Sequence, residues 1–221
     1  MIAVVSTSDG KVDFVIQTSI HYGLVRAGGP VVRFSDRTDF SKATKLCIVG
    51  HGSPGSIENY SAEQVADILT DPVLGVNQDL EMLLLTSCYA GLPVNGQKGT
   101  AVIDVIARAL KTKKNVRGVE IKGAMGPSIK ANALGDVFRV VPKKGTPEYT
   151  RAGKAQGDLT SSFDYEFLAD MTLTNPSPAQ LETAANFAGE VTFQFYKDFV
   201  GRLEKERDLL PGTEAMRTLI I

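Results

Sequence analysis

The sequence predicts an α/β fold in which helices cover both faces of a mostly parallel β-sheet. Over the first two-thirds of the 221 residues, short apolar runs alternate with stretches of helical apolar spacing, which is typical of parallel sheets. One run, Met82-Leu-Leu-Leu85, is apolar throughout, as expected of a strand buried on both faces. Hydrophobic residues make up 43% of the chain, which is enough for a sizeable core.

The strands are predicted from short apolar runs, and the helices from apolar spacing and capping signals. Strands are expected at residues 2–5, 31–34, 45–49, 82–85 and 119–122, with a hairpin strand at 137–141. Helices are expected at residues 12–25, 61–69 and 101–110, and from residue 177 onward.

Two capping boxes mark the starts of helices. Ser61 pairs with Gln64 in one of them, and Ser177 with Gln180 in the other. The helix after the second box is expected to pack onto the sheet through one stripe, formed by Leu181, Ala185, Ala188, Phe195 and Phe199. We therefore expect one domain at residues 1–170 and a helical C-terminal extension at 171–221 packed on it.

The cysteine and histidine counts exclude several classes of protein. Two cysteines cannot form a disulfide framework, and with two histidines they are too few for a convincing structural zinc site. No apolar run reaches the ~20 residues of a membrane span, and residues 1–9 lack the features of a secretory leader. We expect a soluble protein with neither a membrane nor a nucleic acid as partner. It would work in the cytoplasm, or be exported as an effector through another kind of signal.

Charge is unevenly distributed along a chain whose net charge is −1. Residues 108–154 carry twelve basic and three acidic residues, a net charge of +9, whereas the rest carries twelve basic and twenty-two acidic residues, or −10. Such segregation suits an anionic partner, but a solvated basic surface has the same pattern. The candidate anion-binding residues are Lys111, Lys113, Lys114, Lys143, Lys144, Arg151 and Lys154.

Two predicted strands end in residues that can carry chemistry. His51 follows the strand at 45–49, and Cys88 follows the strand at 82–85. If these strands are parallel neighbours, both side chains emerge at the same edge of the sheet, where α/β proteins bind ligands. An imidazole there can take the proton of a thiol and return it to a leaving amine. Alone, each residue is more often structural, and Cys47 is interpreted as a packing residue.

The two strand ends resemble those of the caspase-like cysteine peptidases, a group that contains caspases, legumains, gingipains, clostripain and the self-processing domains of large bacterial toxins. The matching motifs are Leu46-Cys-Ile-Val-Gly-His51-Gly52 and Leu83-Leu-Leu-Thr-Ser-Cys88-Tyr-Ala-Gly91, and the match extends over about residues 2–127. The resemblance implies a caspase-haemoglobinase-like fold, with the peptidase domain at residues 1–170. It also implies His51 as general acid/base, Cys88 as nucleophile, and the Gly52 and Cys88 amides as oxyanion hole.

Within this group the chain looks most like the toxin self-processing domains. That likeness rests on Ile48-Val-Gly-His-Gly52 followed by Tyr60-Ser-Ala-Glu-Gln-Val-Ala66, and on Val119-Glu-Ile-Lys-Gly-Ala-Met-Gly-Pro127. It implies inositol hexakisphosphate as a possible activator on the basic segment, with no cofactor needed for the chemistry. The chain departs from the pattern in its C-terminal helix, which has no counterpart in that family.

The resemblance also points to residues that would contact the substrate. Family members that cut after basic residues often carry an acid two positions before the nucleophile, and Thr86 stands there in this chain. Ala124, Met125 and Gly126 would line the first substrate pocket, which suggests an apolar or small side chain in the substrate.

Two alternatives remain open at this point. Gly50-His-Gly-Ser-Pro-Gly55 matches the spacing of a dinucleotide-binding loop, but the next helix starts only after Ser61, so a phosphate would not meet its N-terminus. The chain could also be a catalytically silent module that binds a polyanion or a protein partner through the basic segment. The presence of both His51 and Cys88 argues against that alternative, but it stays open because no third residue that would orient His51 is identified.

Overall fold

The structure is a computed structural model that describes residues 1–7, 9–131, 136–145, 172–188 and 207–221. Its helices are α1 (Phe14–Ala27), α2 (Ala62–Leu69), α3 (Val102–Lys113) and α4, of which residues 178–188 are described. Its strands are β1 (Ile2–Val4), β2 (Lys11–Val12), β3 (Val31–Arg33), β4 (Lys45–Val49), β5 (Gly52–Ser53), β6 (Ser56–Ile57), β7 (Tyr60–Ser61), β8 (Met82–Leu85), β9 (Glu120–Ala124), β10 (Ser128–Ala131), β11 (Asp136–Pro142), β12 (Leu173–Thr174), β13 (Arg207–Leu210) and β14 (Met216–Ile220).

A six-stranded sheet in the order β14-β9-β8-β4-β1-β3 forms the centre of the fold. Five of its strands are parallel, and β14 pairs antiparallel with β9 at one edge. The predicted pairing of the two reactive strands is confirmed, since β4 and β8 are parallel neighbours with Cys47 opposite Leu84. Their carboxyl ends therefore meet at one edge of the sheet.

Helices cover both faces of this sheet, as predicted for an α/β fold. Alternate strand residues point to opposite faces, so Leu46 and Ile48 pack with α2 and α3, whereas Cys47 and Val49 pack with α1 and α4. The packing role predicted for Cys47 is confirmed by its full burial. Helix α1 approaches the sheet closely at Gly23, where an added Cβ would lie 2.9 Å from the Cys47 sulfur.

Local signals fixed several helix ends. The capping box of Ser61 and Gln64 is confirmed, with both of its hydrogen bonds present at the start of α2. Helix α1 begins at Phe14 and has Asp13 as its N-cap, because Val12 belongs to β2 and pairs with Leu173. The predicted start at residue 12 was therefore two residues too early.

No helix among the described residues is long and apolar enough to cross a membrane.

The C-terminal segment is only partly the helical extension that the sequence predicts. The second capping box is confirmed at the start of α4, and Leu181, Ala185 and Ala188 are buried, whereas Phe195 and Phe199 lie outside the described residues. The expectation is wrong for residues 207–210 and 216–220, which form β13 and β14. The physical reason is that β14 forms hydrogen bonds along the edge of β9, which would otherwise be unpaired. No residue of β14 is fully buried, so the strand lacks the apolar run of an inner strand.

Candidate active site

His51 and Cys88 lie in two turns that contact each other at the carboxyl edge of the sheet. His51 follows β4 after Gly50, and Cys88 lies three residues beyond β8. The contact is made by Gly52, where an added Cβ would overlap the Cys88 carbonyl oxygen and lie 3.1 Å from the Cys88 nitrogen. Only a glycine permits this approach, and it brings the residue after His51 against the backbone of Cys88.

A short hairpin holds His51 in place. Strands β5 and β6 are joined by a turn at Pro54 and Gly55, where Gly55 has a φ of 87°. Glu58 fixes His51 twice: its amide donates to the His51 carbonyl over 2.8 Å, and its Oε1 accepts from the His51 amide over 2.7 Å. Because this segment is a hairpin and α2 starts only at Ala62, it is unsuited to the dinucleotide-binding alternative.

The hairpin register leaves the Gly52 amide facing away from the partner strand. In antiparallel pairs, hydrogen-bonded and non-hydrogen-bonded positions alternate. Since the Glu58 amide donates to the His51 carbonyl, the next pair, Gly52–Ile57, is of the non-hydrogen-bonded kind. The Gly52 amide therefore does not bond to β6, and the oxyanion hole of Gly52 and Cys88 stays a prediction.

A third residue, Asp13, orients the imidazole. The His51 Nε2–H donates to Asp13 Oδ2 over 2.8 Å, and both side chains are partly buried. The other carboxylate oxygen of Asp13 caps α1 by accepting from the Ile16 amide over 2.9 Å. Burial raises the pKa of Asp13, but the hydrogen bond and charge of His51 and the Ile16 and Val15 amides outweigh it, so this pKa lies below its usual value. Asp13 is therefore a carboxylate anion held by both the helix and the histidine.

Asp13 was missed in the sequence, although a signal for it exists. Aspartate is among the preferred N-cap residues, and Asp13 directly precedes the apolar residues Phe14, Val15 and Ile16. A helix assigned from residue 12 hides this cap inside the helix. The spatial contact with His51, 38 residues away, carries no sequence signal of its own.

The carboxyl group of Glu58 is a second acidic group beside His51 that the sequence did not single out. Burial raises the pKa of Glu58 above its usual value, the His51 amide and charge oppose this, and the charges of Asp13 and Asp9 add to it. Glu58 also has a φ of 50°, a left-handed conformation that is uncommon outside glycine. The histidine turn therefore depends on a residue held against its backbone preference.

The nucleophile turn, residues 87–91, carries Cys88 in a half-buried position. The Cys88 Sγ lies 4.0 Å from the hydroxyl of Ser128, the first residue of β10, which the sequence did not single out. Tyr89, directly after Cys88, has a φ of 62°. A bulky residue in this region is strained, and the surrounding structure must hold it there.

The residues predicted to contact substrate lie in two different places: three are beside the nucleophile turn, and one is buried between strands. Ala124 and Gly126 accept hydrogen bonds from the nucleophile turn, from the Gly91 amide over 2.8 Å and from the Tyr89 amide over 3.4 Å. Met125 between them is half-buried. Thr86 instead is 2% exposed, and its amide and hydroxyl both donate to the Ile48 carbonyl. In this structure the buried Thr86 side chain therefore links β8 to β4 and is not exposed for contact with a substrate.

Three of the basic candidates, Lys111, Lys113 and Lys114, do not lie at this edge of the sheet. Helix α3 starts beside the nucleophile turn, where the Ile103 amide donates to the Ala90 carbonyl, and its twelve residues run back along the sheet. Lys111, Lys113 and Lys114 are thus at the opposite edge, where Lys113 pairs with Asp67 over 2.7 Å. The remaining candidates are Lys143 and Lys144, which are exposed after β11, and Arg151 and Lys154, which lie outside the described residues.

A cavity of about 430 Å³ lies on the α1 face of the sheet. Its lining includes two cationic side chains, Arg26 of α1 and Lys122 of β9, above the apolar residues Met82, Leu84 and Met216. The Arg26 guanidinium lies 4.8 Å from the centre of the Tyr22 ring, and Lys122 pairs with Glu120 over 3.0 Å. Among the described residues, no group of three or more His, Cys, Asp or Glu side chains is placed to hold a metal ion.

Comparison of the chain with protein-family models, curated proteins and solved structures gives no match. What the structure itself defines is an α/β protein in which His51 and Cys88 follow neighbouring strands of a largely parallel sheet and Asp13, the N-cap of α1, bonds to His51. Its function is therefore argued from this site.

Proposed function

We propose that this chain is a cysteine endopeptidase of the caspase-like class. The single observation that carries the proposal is the constellation at the carboxyl edge of β4 and β8. There the Asp13–His51 pair and the half-buried Cys88 follow neighbouring parallel strands, and Gly52 packs against the Cys88 backbone. A nucleophile, a base and a group that orients the base are the parts that covalent acyl transfer requires.

The proposed reaction follows from the roles of these atoms. His51 Nε2 is held by Asp13, so Nδ1 is the ring nitrogen that takes the Cys88 proton. The thiolate attacks the peptide carbonyl carbon, and the resulting oxyanion is stabilised by the Gly52 and Cys88 amides. The tetrahedral intermediate expels the amine, which receives the proton from His51, and leaves a thioester on Cys88. Water then hydrolyses the thioester, with His51 as base, and returns the thiol.

Two features of the fold support the more specific proposal that this α/β architecture is caspase-haemoglobinase-like. The parallel sheet is covered by helices on both faces, and the two motif residues follow neighbouring strands, as the family resemblance implies. For specificity we propose an apolar or small first substrate side chain, because Ala124 and Gly126 flank the nucleophile turn.

We also propose that the peptidase processes itself and that a polyanion such as inositol hexakisphosphate regulates it. Two places in the described residues offer positive charge to this anion: the exposed Lys143 and Lys144, and the cavity lined by Arg26 and Lys122. The cavity reaches Met82 at the start of β8, whereas Cys88 follows the end of that strand, so an anion bound in the cavity would act on the site at a distance. The competing function is the catalytically silent module, which would bind the same anion without cleaving anything.

The test compares the two cysteines of the chain. Wild type, Cys88→Ala and Cys47→Ala are incubated with a peptide library, with and without inositol hexakisphosphate, and the cleavage products are identified. Cleavage by wild type and Cys47→Ala but not by Cys88→Ala supports the peptidase and gives its substrate preference. Iodoacetamide labelling supplies a parallel measurement, because Cys88 is half-buried and Cys47 is fully buried. No cleavage under any condition, together with an unreactive Cys88, would refute the peptidase and favour the binding module.

A further inference from the structure

The nucleophile turn is supported by a partly buried ion pair that the proposed chemistry does not use. Arg217 of β14 makes a bidentate contact with Asp104 of α3, at 2.9 Å from Nη1 to Oδ2 and 2.8 Å from Nη2 to Oδ1. Asp104 is nearly buried, with its side chain 10% exposed. The same Arg217 Nη1 donates to the Gly91 carbonyl over 3.3 Å, three residues after Cys88. One guanidinium therefore joins the last sheet strand, the start of α3 and the nucleophile turn.

Backbone packing makes this contact tight. Gly91 packs against two paired residues, Gly123 of β9 and Arg217 of β14: an added Cβ would overlap the Gly123 carbonyl oxygen and lie 3.2 Å from the Arg217 Cβ. Asp104 also accepts from the Ala101 amide over 3.3 Å, which ties the N-terminus of α3 to the same group. The carboxylate and the Gly91 carbonyl thus share the guanidinium of one arginine.

The strain at Tyr89 explains why the turn needs such support. Its φ of 62° is costly for a bulky residue and persists only if its surroundings hold it. The turn's own hydrogen bonds run from Gly91 to Ala124 and from Leu92 to Tyr89, at 2.8 and 2.9 Å. Arg217 adds a charged donor to the Gly91 carbonyl, while the Gly91 amide donates to Ala124.

We propose that Arg217, held by Asp104, is the positioning residue that fixes the Cys88 turn in its reactive geometry. The proposal rests on the proposed function where it concerns turnover, but the immobilisation of the turn can be measured without it. Arg217 does not touch the reacting atoms; it acts through Gly91 and the strained turn.

The experiment compares Arg217→Met with Arg108→Met as a matched control. Each variant removes one guanidinium that donates to a loop carbonyl beside α3, since Arg108 donates to the Gly99 carbonyl over 2.7 Å. Hydrogen exchange is followed at the amides of Gly91 and Leu92, and kcat and KM are measured on a peptide identified by the library. Arg217→Met is expected to speed exchange at these two amides about tenfold or more, because charged hydrogen bonds are being removed. It should lower kcat by a similar factor and leave KM within about twofold of wild type.

Two further variants keep the test decisive if Arg217→Met folds poorly. Asp104→Asn should loosen the same amides, and Arg217→Lys should restore part of their protection. Exchange at Gly91 and Leu92 equal to wild type, or increased equally throughout the sheet, would overturn the proposal. A chain that cleaves no peptide, but whose Arg217→Met variant exchanges faster at these amides alone, would refute the peptidase and retain the positioning role.

Discussion

Replacing Asp13 by asparagine separates its two roles. Asparagine caps helices about as well as aspartate, so the hydrogen bond from the Ile16 amide to the side chain at residue 13 can persist. The negative charge beside His51 is lost, because the amide oxygen or nitrogen that replaces Oδ2 is neutral. Asp13→Asn therefore changes the electrostatics of the imidazole and leaves the start of α1 nearly intact.

The size of the effect follows from the 2.8 Å bond between His51 and Asp13. A hydrogen bond to a charged group contributes about 1.5–3 kcal/mol and a neutral one about 1 kcal/mol, so the substitution costs about 1–2 kcal/mol. At about 1.4 kcal/mol per tenfold in rate, kcat/KM should fall by about 5- to 30-fold. The lower end is favoured, since the His51 and Asp13 side chains are 36% and 26% exposed and solvent weakens the charge term.

The assay measures kcat/KM and thermal unfolding together, with Asp13→Ala for comparison. Asp13→Ala loses the cap as well and should be less stable than Asp13→Asn by about 1 kcal/mol at neutral pH, where Asp13→Asn loses only the charge-dependent contribution. The reasoning is refuted if Asp13→Asn turns over substrate like wild type, or if it is destabilised as much as the alanine variant.

Lowering the pH should remove the charge-dependent part of the stability difference between wild type and Asp13→Asn. The pKa of Asp13 lies below its ordinary value of 3.8, so its ionised form contributes stability above that value. This contribution is lost as the pH falls through the lowered pKa. Unfolding measured from neutral pH downward should therefore show the wild type losing its advantage over Asp13→Asn in strong acid, and parallel curves there would contradict the assignment.

The remaining predictions concern the backbone approach, a buried carboxyl and a helix cap. Gly52→Ala should abolish cleavage, because its methyl group would overlap the Cys88 carbonyl oxygen, whereas Gly29→Ala, with its nearest neighbour 3.9 Å away, should cleave normally. Glu58 has a raised pKa, so its contribution to stability is present below the ordinary value of 4.5 and is lost as the pH rises through the raised pKa. Glu58→Gln should thus melt higher than wild type at about pH 7 but not at about pH 4, and the reverse order would contradict this. Ser61→Ala removes the cap of α2 and should cost about 1 kcal/mol, or about 2–4 °C in Tm for a chain of this size; an unchanged Tm would contradict the role of the capping box.

Much of the sheet could be predicted because its signals are local. The run Met82–Leu85 is apolar along its whole length, and the strand occupies those residues. The Ser61–Gln64 capping box places the start of α2 through bonds between residues three apart. Parallel pairing of β4 and β8 followed from the helix between them. These features depend on neighbours along the chain or on general rules of topology.

The parts that escaped prediction depend on contacts between distant segments. Asp13 reaches His51 only once β1 and β4 are paired, and Ser128 comes near Cys88 only through the hairpin after β9. Strand β14 has little local signal because it is an edge strand with exposed side chains, Ile220 among them. Its place is determined by the open edge of β9, which the sequence of β14 does not reveal.

The dispersion of the site along the chain has a consequence for folding. Asp13, His51, Cys88 and Arg217 come from segments spread over more than two hundred residues: the last three lie on or just after strands of the central sheet, and Asp13 caps α1. Contacts of such high sequence separation form slowly, because long loops must close before any of them is gained. A partly folded chain in which β14 has not yet paired with β9 lacks the bond from Arg217 to the Gly91 carbonyl. If Arg217 has the role that we propose, the geometry needed for cleavage is complete only after β14 has joined the sheet.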